Sequence, residues 1–229
     1  MFYYYDPTYI LVLIGVIITL IASSNVNGTF SRYSKIQSTC GMTGADVALR
    51  ILHAAGIYDV QIARVSGSLT DHYDPSKKIL KLSESVYGSS SVAAIGVAAH
   101  ECGHAIQHAT GYAPLRLRGA LVPVVNFGST LSWPLIILGV LLSWNQTLIT
   151  VGIILFSFAV IFQVVTLPVE FNASNRALAK IQELNILQGN ELAGSKKVLQ
   201  AAALTYVAAV ASSLLQLLRL VLLFGRRDD

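Results

Sequence analysis

Residues 119–169 are 51 consecutive positions without a formal charge, and this stretch constrains the fold more than any other feature of the chain. One helical crossing of a bilayer's hydrocarbon core takes about 20 residues, so the stretch predicts two crossings with a turn between them. The polar break Ser143-Trp144-Asn145-Gln146-Thr147 supplies the turn, with Trp144 suited to the membrane interface. The expected hairpin therefore has spans at about 121–143 and 148–167. Pro123, Gly128 and Pro134 lie inside it and are tolerated in lipid, where neighbouring helices re-satisfy freed backbone groups.

Two further stretches have the same character. Residues 9–22 are almost wholly apolar and predict a span at about 8–24. The start Met1-Phe2-Tyr3-Tyr4-Tyr5-Asp6 holds no Lys or Arg, which favours a retained span with an aromatic anchor over a cleaved signal peptide. Residues 198–218 are uncharged and continue past Arg219 to Phe224, predicting a fourth span at about 200–222 with Arg219 snorkelling. A helix lying against the bundle is the alternative there. Apolar residues make up 54% of the chain and charged ones only 12%, about half the charged share of a soluble domain. The net charge of +4 is not gathered into a basic run with interleaved aromatics, and Arg226-Arg227 is offset by Asp228-Asp229, so no nucleic-acid partner is expected. Cys40 and Cys102 are too few and too far apart for a disulfide framework or a metal-ligand pair, which leaves two free thiols on the reducing side of a membrane.

The polar residues fall into two blocks, 32–118 and 168–197, expected to hold the catalytic segments. Arg32, Lys35, Arg50, Arg64, Lys77, Lys78, Lys81, Arg116 and Arg118 are in the first, and Arg176, Lys180, Lys196 and Lys197 in the second. The hairpin turn and the N-terminal tail carry no basic residue. The positive-inside rule then puts both blocks in the cytoplasm and the tail and turn outside, with Arg226 and Arg227 as the one inconsistency. Within the first block, residues 43–53 read as an amphipathic helix stopping near Gly56, and 59–65 and 78–82 as short strands joined by a polar stretch. Ser89-Ser90-Ser91 offers an N-cap for a helix reaching Ala109, with Gly111 as its stop.

That helix carries His100-Glu101-Cys102-Gly103-His104, an HEXXH pattern. Residues four apart on a helix share a face, so His100 and His104 can present two imidazoles to one zinc ion. Glu101, on an adjoining face, can take the proton of a water that the metal activates and pass it to the leaving amine. Asp would fall short and Gln could not accept a proton. His108 lies too far along the helix to converge on the same ion, and a carboxylate suits the third position better. The hairpin returns the chain to the face it left, and the first charged residue after it is Glu170, with Pro168 marking a helix start and Ser174 on the same face. Glu170 is thus the expected third ligand, with Glu183 and Glu191 as fallbacks. His53, His72, Tyr112 and Arg176 are candidate oxyanion donors, and strand 78–83 a candidate partner for an extended peptide.

His100-Glu101-Cys102-Gly103-His104-Ala105-Ile106-Gln107-His108, with Leu69-Thr70-Asp71-His72-Tyr73-Asp74-Pro75 upstream, resembles the YugP-type neutral zinc metallopeptidases, small bacterial membrane proteins. Pro168-Val169-Glu170-Phe171-Asn172-Ala173-Ser174 is similar to their third-ligand motif. More distantly the layout resembles the HtpX-type and CAAX-prenyl-protease clan, in which the third-ligand Glu is followed four residues later by Asp; here that position is Ser174. The resemblance implies one catalytic Zn2+ held by His100, His104 and Glu170, with Glu101 catalytic. The whole chain, 1–229, is then expected to be one mainly α integral-membrane domain with about four transmembrane helices and a small α+β, gluzincin-like part facing the cytoplasm of a bacterial cell. Its expected function is zinc-dependent endopeptidase on membrane or membrane-proximal proteins, its partners a protein or peptide substrate and the lipid bilayer. A non-catalytic membrane protein with structural zinc is the alternative, and Glu101, which a closed site would not need, weighs against it. A transporter is disfavoured because the hairpin holds no ionisable residue.

Overall fold

A computed structural model describes residues 6–225. Arg226, Arg227 and the aromatic run Phe2–Tyr5 invoked above lie outside the described residues. The elements in chain order are α1 (Tyr9–Tyr33), α2 (Gly44–Ala54), β1 (Gln61–Val65), β2 (His72–Asp74), β3 (Ile79–Ser83), α3 (Glu84–Tyr87), α4 (Val92–Ala109), α5 (Ala113–Leu141), α6 (Gln146–Glu183) and α7 (Gly189–Phe224). The chain is mainly α with a small α+β part, and α1, α5, α6 and α7 are long and apolar enough to cross a membrane. The chain divides into two compact units, described separately.

The first unit comprises the described residues up to Ser23 with 117–167 and 205–225. Its helices are apolar on nearly all sides, as lipid-facing helices must be. They pack through small residues: a Cβ on Gly152 of α6 would lie 2.8 Å from the Ser132 carbonyl of α5, so only glycine allows that approach. Pro123 and Pro134 are accommodated within α5. Arg219, expected to snorkel, is instead paired inside the unit. Its Nη2 donates to Asp6 Oδ2 at 3.2 Å, and its guanidinium lies 4.4 Å from the Tyr9 ring centroid.

The second unit comprises 24–116 and 168–204. The α2 helix starts with a capping box, Thr43 Oγ1 accepting from Asp46 N at 3.2 Å while the Asp46 carboxylate accepts from Thr43 N. The α4 helix starts at Ser91, whose Oγ accepts from Ala94 N, and stops at Gly111, held at φ +63°. Thirteen of its eighteen residues are buried, which makes α4 the centre of the unit. Around it close Val47, Ile51 and Leu52 of α2, Leu80 and Leu82 of β3, Val86, and Ile181 of α6. Each such side chain contributes about 1.5–3 kcal/mol on leaving water.

Three findings differ from the expectations. Residues 72–74, taken as part of a polar connection, form β2, and the sheet order is β1-β3-β2. β3 is therefore the central strand, parallel to β1 and antiparallel to β2, and beyond Lys81 its edge is capped where Ser83 N donates to Asp71 Oδ1 at 2.7 Å. An extended peptide cannot pair with residues 78–83 as expected, because both sides are taken. Second, Pro168 does not start a helix; it lies inside α6, which runs unbroken from Gln146 to Glu183. A proline within a long helix need not end it, and its missing N–H is the only donor lost. Third, α1, α5, α6 and α7 all extend past the predicted spans into polar sequence, since hydropathy marks where lipid ends and not where a helix does.

Gly103 of α4 marks a tight point of the unit, because a Cβ there would collide with the backbone carbonyl of Ala173 on α6. Helix propensity alone makes Gly103→Ala stabilising by about 1 kcal/mol, whereas overpacking makes it destabilising by about 1–3 kcal/mol. The close approach predicts the second outcome, read as a lowered unfolding temperature in detergent. A raised temperature would show that the helices part freely.

Candidate metal centre

His100 and His104 stand one turn apart on α4, their rings 4.8 Å between centroids and nearly perpendicular. Glu170 reaches them from α6. Its Oε2 lies 3.2 Å from His100 Nε2 and 3.5 Å from His104 Nε2. The three potential ligand atoms are all within 4.8 Å of one another. Ligands about 2.0–2.1 Å from a tetrahedral zinc are separated by about 3.3 Å, so the two printed contacts match the edges of such a site. The fallback carboxylates are engaged elsewhere: Glu183 accepts from Lys180 Nζ at 2.8 Å, and Glu191 accepts from Thr39 N at 3.0 Å.

The hydrogen bonds behind the ligands say more than the distances. Gln107 is wholly buried, and its Nε2 donates to the Val169 carbonyl at 2.7 Å and to Asn172 Oδ1 at 3.0 Å. A carbonyl can only accept, so the amide cannot be turned round. Arg176 Nε, which can only donate, also reaches Asn172 Oδ1 at 2.7 Å and fixes that amide the same way. Gln107 Oε1 must then face His104 Nδ1, 3.0 Å away, and accept its N–H. In the neutral ring this leaves a lone pair on Nε2, aimed at a Glu170 oxygen that also only accepts when ionised. Two such atoms at 3.5 Å repel unless a cation sits between them. Burial disfavours the imidazolium of His104, yet the hydrogen bond to Glu170 and the charges of Glu101 and Glu170 outweigh it and raise the pKa above the usual histidine value. The arrangement thus favours positive charge between His104 and Glu170, and its donor set fits zinc. On the other ring, His100 Nδ1 is 3.1 Å from Ser174 Oγ, one turn beyond Glu170 on α6.

Glu101 is 7% exposed, and among the described residues its carboxylate has no hydrogen-bond or ion-pair partner. A buried carboxylate without a protein donor is normally costly, and is found where a ligand or water is to be engaged. Cys102, its neighbour, faces away; it is fully buried, burial pushes its thiol well above the usual range, and its Sγ donates to the Ala48 carbonyl at 3.5 Å.

The candidate oxyanion donors separate into two groups. Arg176 stacks over the Tyr112 ring at 5.8 Å, and Tyr112 Oη is 3.5 Å from the Pro168 carbonyl, so both stand beside the Asn172–Gln107 relay. His53 packs on Tyr58, ring centroids 5.1 Å apart, and His72 Nδ1 is 2.9 Å from the Thr70 carbonyl. Gln107 was missed by sequence reasoning. The available signal was a long amide three residues after His104 on a helix rich in Ala and Gly.

Removing the amide should loosen the metal without removing a ligand. Gln107→Leu is expected to weaken zinc binding about 10–100-fold in chelator competition. Glu170→Ala should abolish stoichiometric zinc and Glu183→Ala leave it unchanged. Equal zinc affinity in Gln107→Leu would show that the relay does not hold His104.

A profile of the family described as "putative neutral zinc metallopeptidase" matches residues 8–225. The chain is 51% identical over 209 residues to "Putative membrane protease YugP" of Bacillus subtilis (strain 168), covering 91% of this chain and 92% of that protein. No solved structure matches it. The two matches run through both polar blocks and the hairpin between them, and the chain belongs to the neutral zinc metallopeptidase family that the profile describes.

Proposed function

We propose that this chain is a membrane-anchored zinc endopeptidase that hydrolyses peptide bonds of membrane or membrane-proximal proteins. The observation that carries the reading is the convergence of His100, His104 and Glu170 beside a buried Glu101 that has no hydrogen-bond or ion-pair partner among the described residues. His100, His104 and Glu170 would hold one zinc ion. When bound, zinc supplies Lewis-acid polarisation of the scissile carbonyl and lowers the pKa of a coordinated water toward 7.

The chain's own residues do the rest. Glu101 accepts the proton of the attacking water and delivers it to the departing amine, which a carboxylate free of other donors is placed to do. Gln107 and Ser174 keep the two imidazoles in register. Arg176 and Tyr112, cationic and hydroxylic groups beside the relay, are the nearest candidates to receive developing negative charge. A structural zinc site would have four protein ligands and no use for Glu101.

Location follows from charge. Both polar blocks are the basic ones, so the active site is read as cytoplasmic, in a multi-pass protein of a bacterial cytoplasmic membrane. Glu170 follows the uncharged stretch directly, which supports a centre close to the lipid surface and within reach of membrane-borne substrates.

Glu101→Gln keeps the side chain's size and removes its basicity. It is expected to retain stoichiometric zinc while cleavage of a casein-type or membrane-protein substrate falls by about 10²–10⁴-fold. Equal cleavage by the variant and the wild type would overturn the mechanism.

A further inference from the structure

Gly128, Ser132, Ile136 and Gly139 are the buried positions of α5, and they pack on α6 within the first unit. A second face of the helix is left uncovered. Val122, Asn126, Ser129 and Trp133, spaced four, three and four residues apart, are all exposed along it. That spacing is the heptad seam of a two-stranded coiled coil, with an asparagine at one of the inward positions.

The depth of this asparagine matters. Arg118 is the last charge before the uncharged stretch, and Asn126 follows it by about 12 Å of helix rise at about 1.5 Å per residue. Ser143 lies about 25 Å farther on. Asn126 therefore falls inside a hydrocarbon layer about 30 Å thick, and its side chain is too short to reach either interface.

The hydroxyls beside it are satisfied within the helix: Thr130 Oγ1 donates to the Asn126 backbone carbonyl at 2.8 Å, and Ser129 Oγ donates to the same oxygen at 3.3 Å. The Asn126 carboxamide has no hydrogen-bond partner among the described residues, and neither has the indole N–H of Trp133. The Thr130 carbonyl adds an acceptor to the same face, since residue 134, which would donate to it, is proline. Lipid offers these groups no partner, so another polypeptide segment must supply one.

We propose that this face of α5 is a homodimer interface, in which two copies of the chain lie side by side in the bilayer and join their Asn126 carboxamides across a two-fold axis. A carboxamide carries both donors and an acceptor, so it is complementary to itself. The Trp133 N–H and the Thr130 carbonyl likewise form one donor and one acceptor, three residues apart on the same face. Two copies inserted with the same topology present identical groups at identical depth, which an unrelated helix would match only by coincidence. The inference is independent of the peptidase reading, because it uses no residue of the metal centre.

Disulfide trapping in native membranes tests the geometry, with single cysteines introduced into the full-length chain. Val122→Cys, Ser129→Cys and Trp133→Cys are expected to give cross-linked dimers on oxidation, above the background set by Cys40 and Cys102 in wild type. Val124→Cys and Phe127→Cys, exposed on another side of α5, are expected to give none. Cross-linking at no position, or equally at all five, would overturn the proposal. Energy transfer between labelled copies in vesicles of increasing lipid content then measures the dimer itself. Asn126→Leu, which suits a lipid-facing helix, should weaken association by about 3–30-fold with zinc content unchanged, and Asn126→Gln should restore most of it. An Asn126→Leu chain that associates as tightly as wild type would contradict the proposal and leave this face to a different membrane protein.

Discussion

The contact between α4 and α6 is what the second unit depends on. It brings together His100 and Glu170, 70 residues apart in sequence. At its middle, Gly103 lets the two backbones meet at Ala173, and one turn further on Gln107 crosses the same seam to the Val169 carbonyl. A side chain in place of that glycine would separate the imidazoles from the carboxylate. An apolar residue in place of that glutamine would leave the His104 tautomer unspecified. The seam therefore serves packing and chemistry together, and this explains why a poor helix former sits in the middle of the most buried helix of the unit.

The same economy marks the membrane-capable helices. They contain few ionisable groups, and the arginine near the end of α7 has its charge matched by Asp6 and its face covered by Tyr9. Where charge is this scarce, a carboxylate such as Glu170 directly after the uncharged stretch stands out as functional. The hairpin carries the chain from the helix with the two histidines to the helix with Glu170, which the proposal takes as the third ligand.

Much of this was legible beforehand because it rests on short-range rules. The apolar periodicity of 43–53 announced one helix and Ser91 announced another as its cap, Gly111 announced a stop, and 51 uncharged residues predicted a hairpin. The HEXXH spacing placed two imidazoles on one face, and chain return through the hairpin singled out Glu170. What was not legible depends on long-range pairing. The three residues of β2 carry no strand pattern of their own and exist because Tyr73 sits opposite Leu80. The central place of β3 follows from that pairing and reverses its expected role. Pro168 read as a helix start by local rules, while continuity of α6 is decided by what surrounds it. Gln107 has meaning only once Val169 and Asn172 are known to face it.

The central claim is that two imidazoles of α4 and one carboxylate of α6 form a single open zinc site. X-ray absorption at the zinc edge of the purified, membrane-reconstituted protein tests it most directly. The account predicts a first shell of nitrogen and oxygen only, at about 2.0–2.1 Å, with outer-shell scattering from two imidazoles. A sulfur neighbour at about 2.3 Å, which would bring in Cys40 or Cys102, or a shell without imidazole scattering, would contradict it.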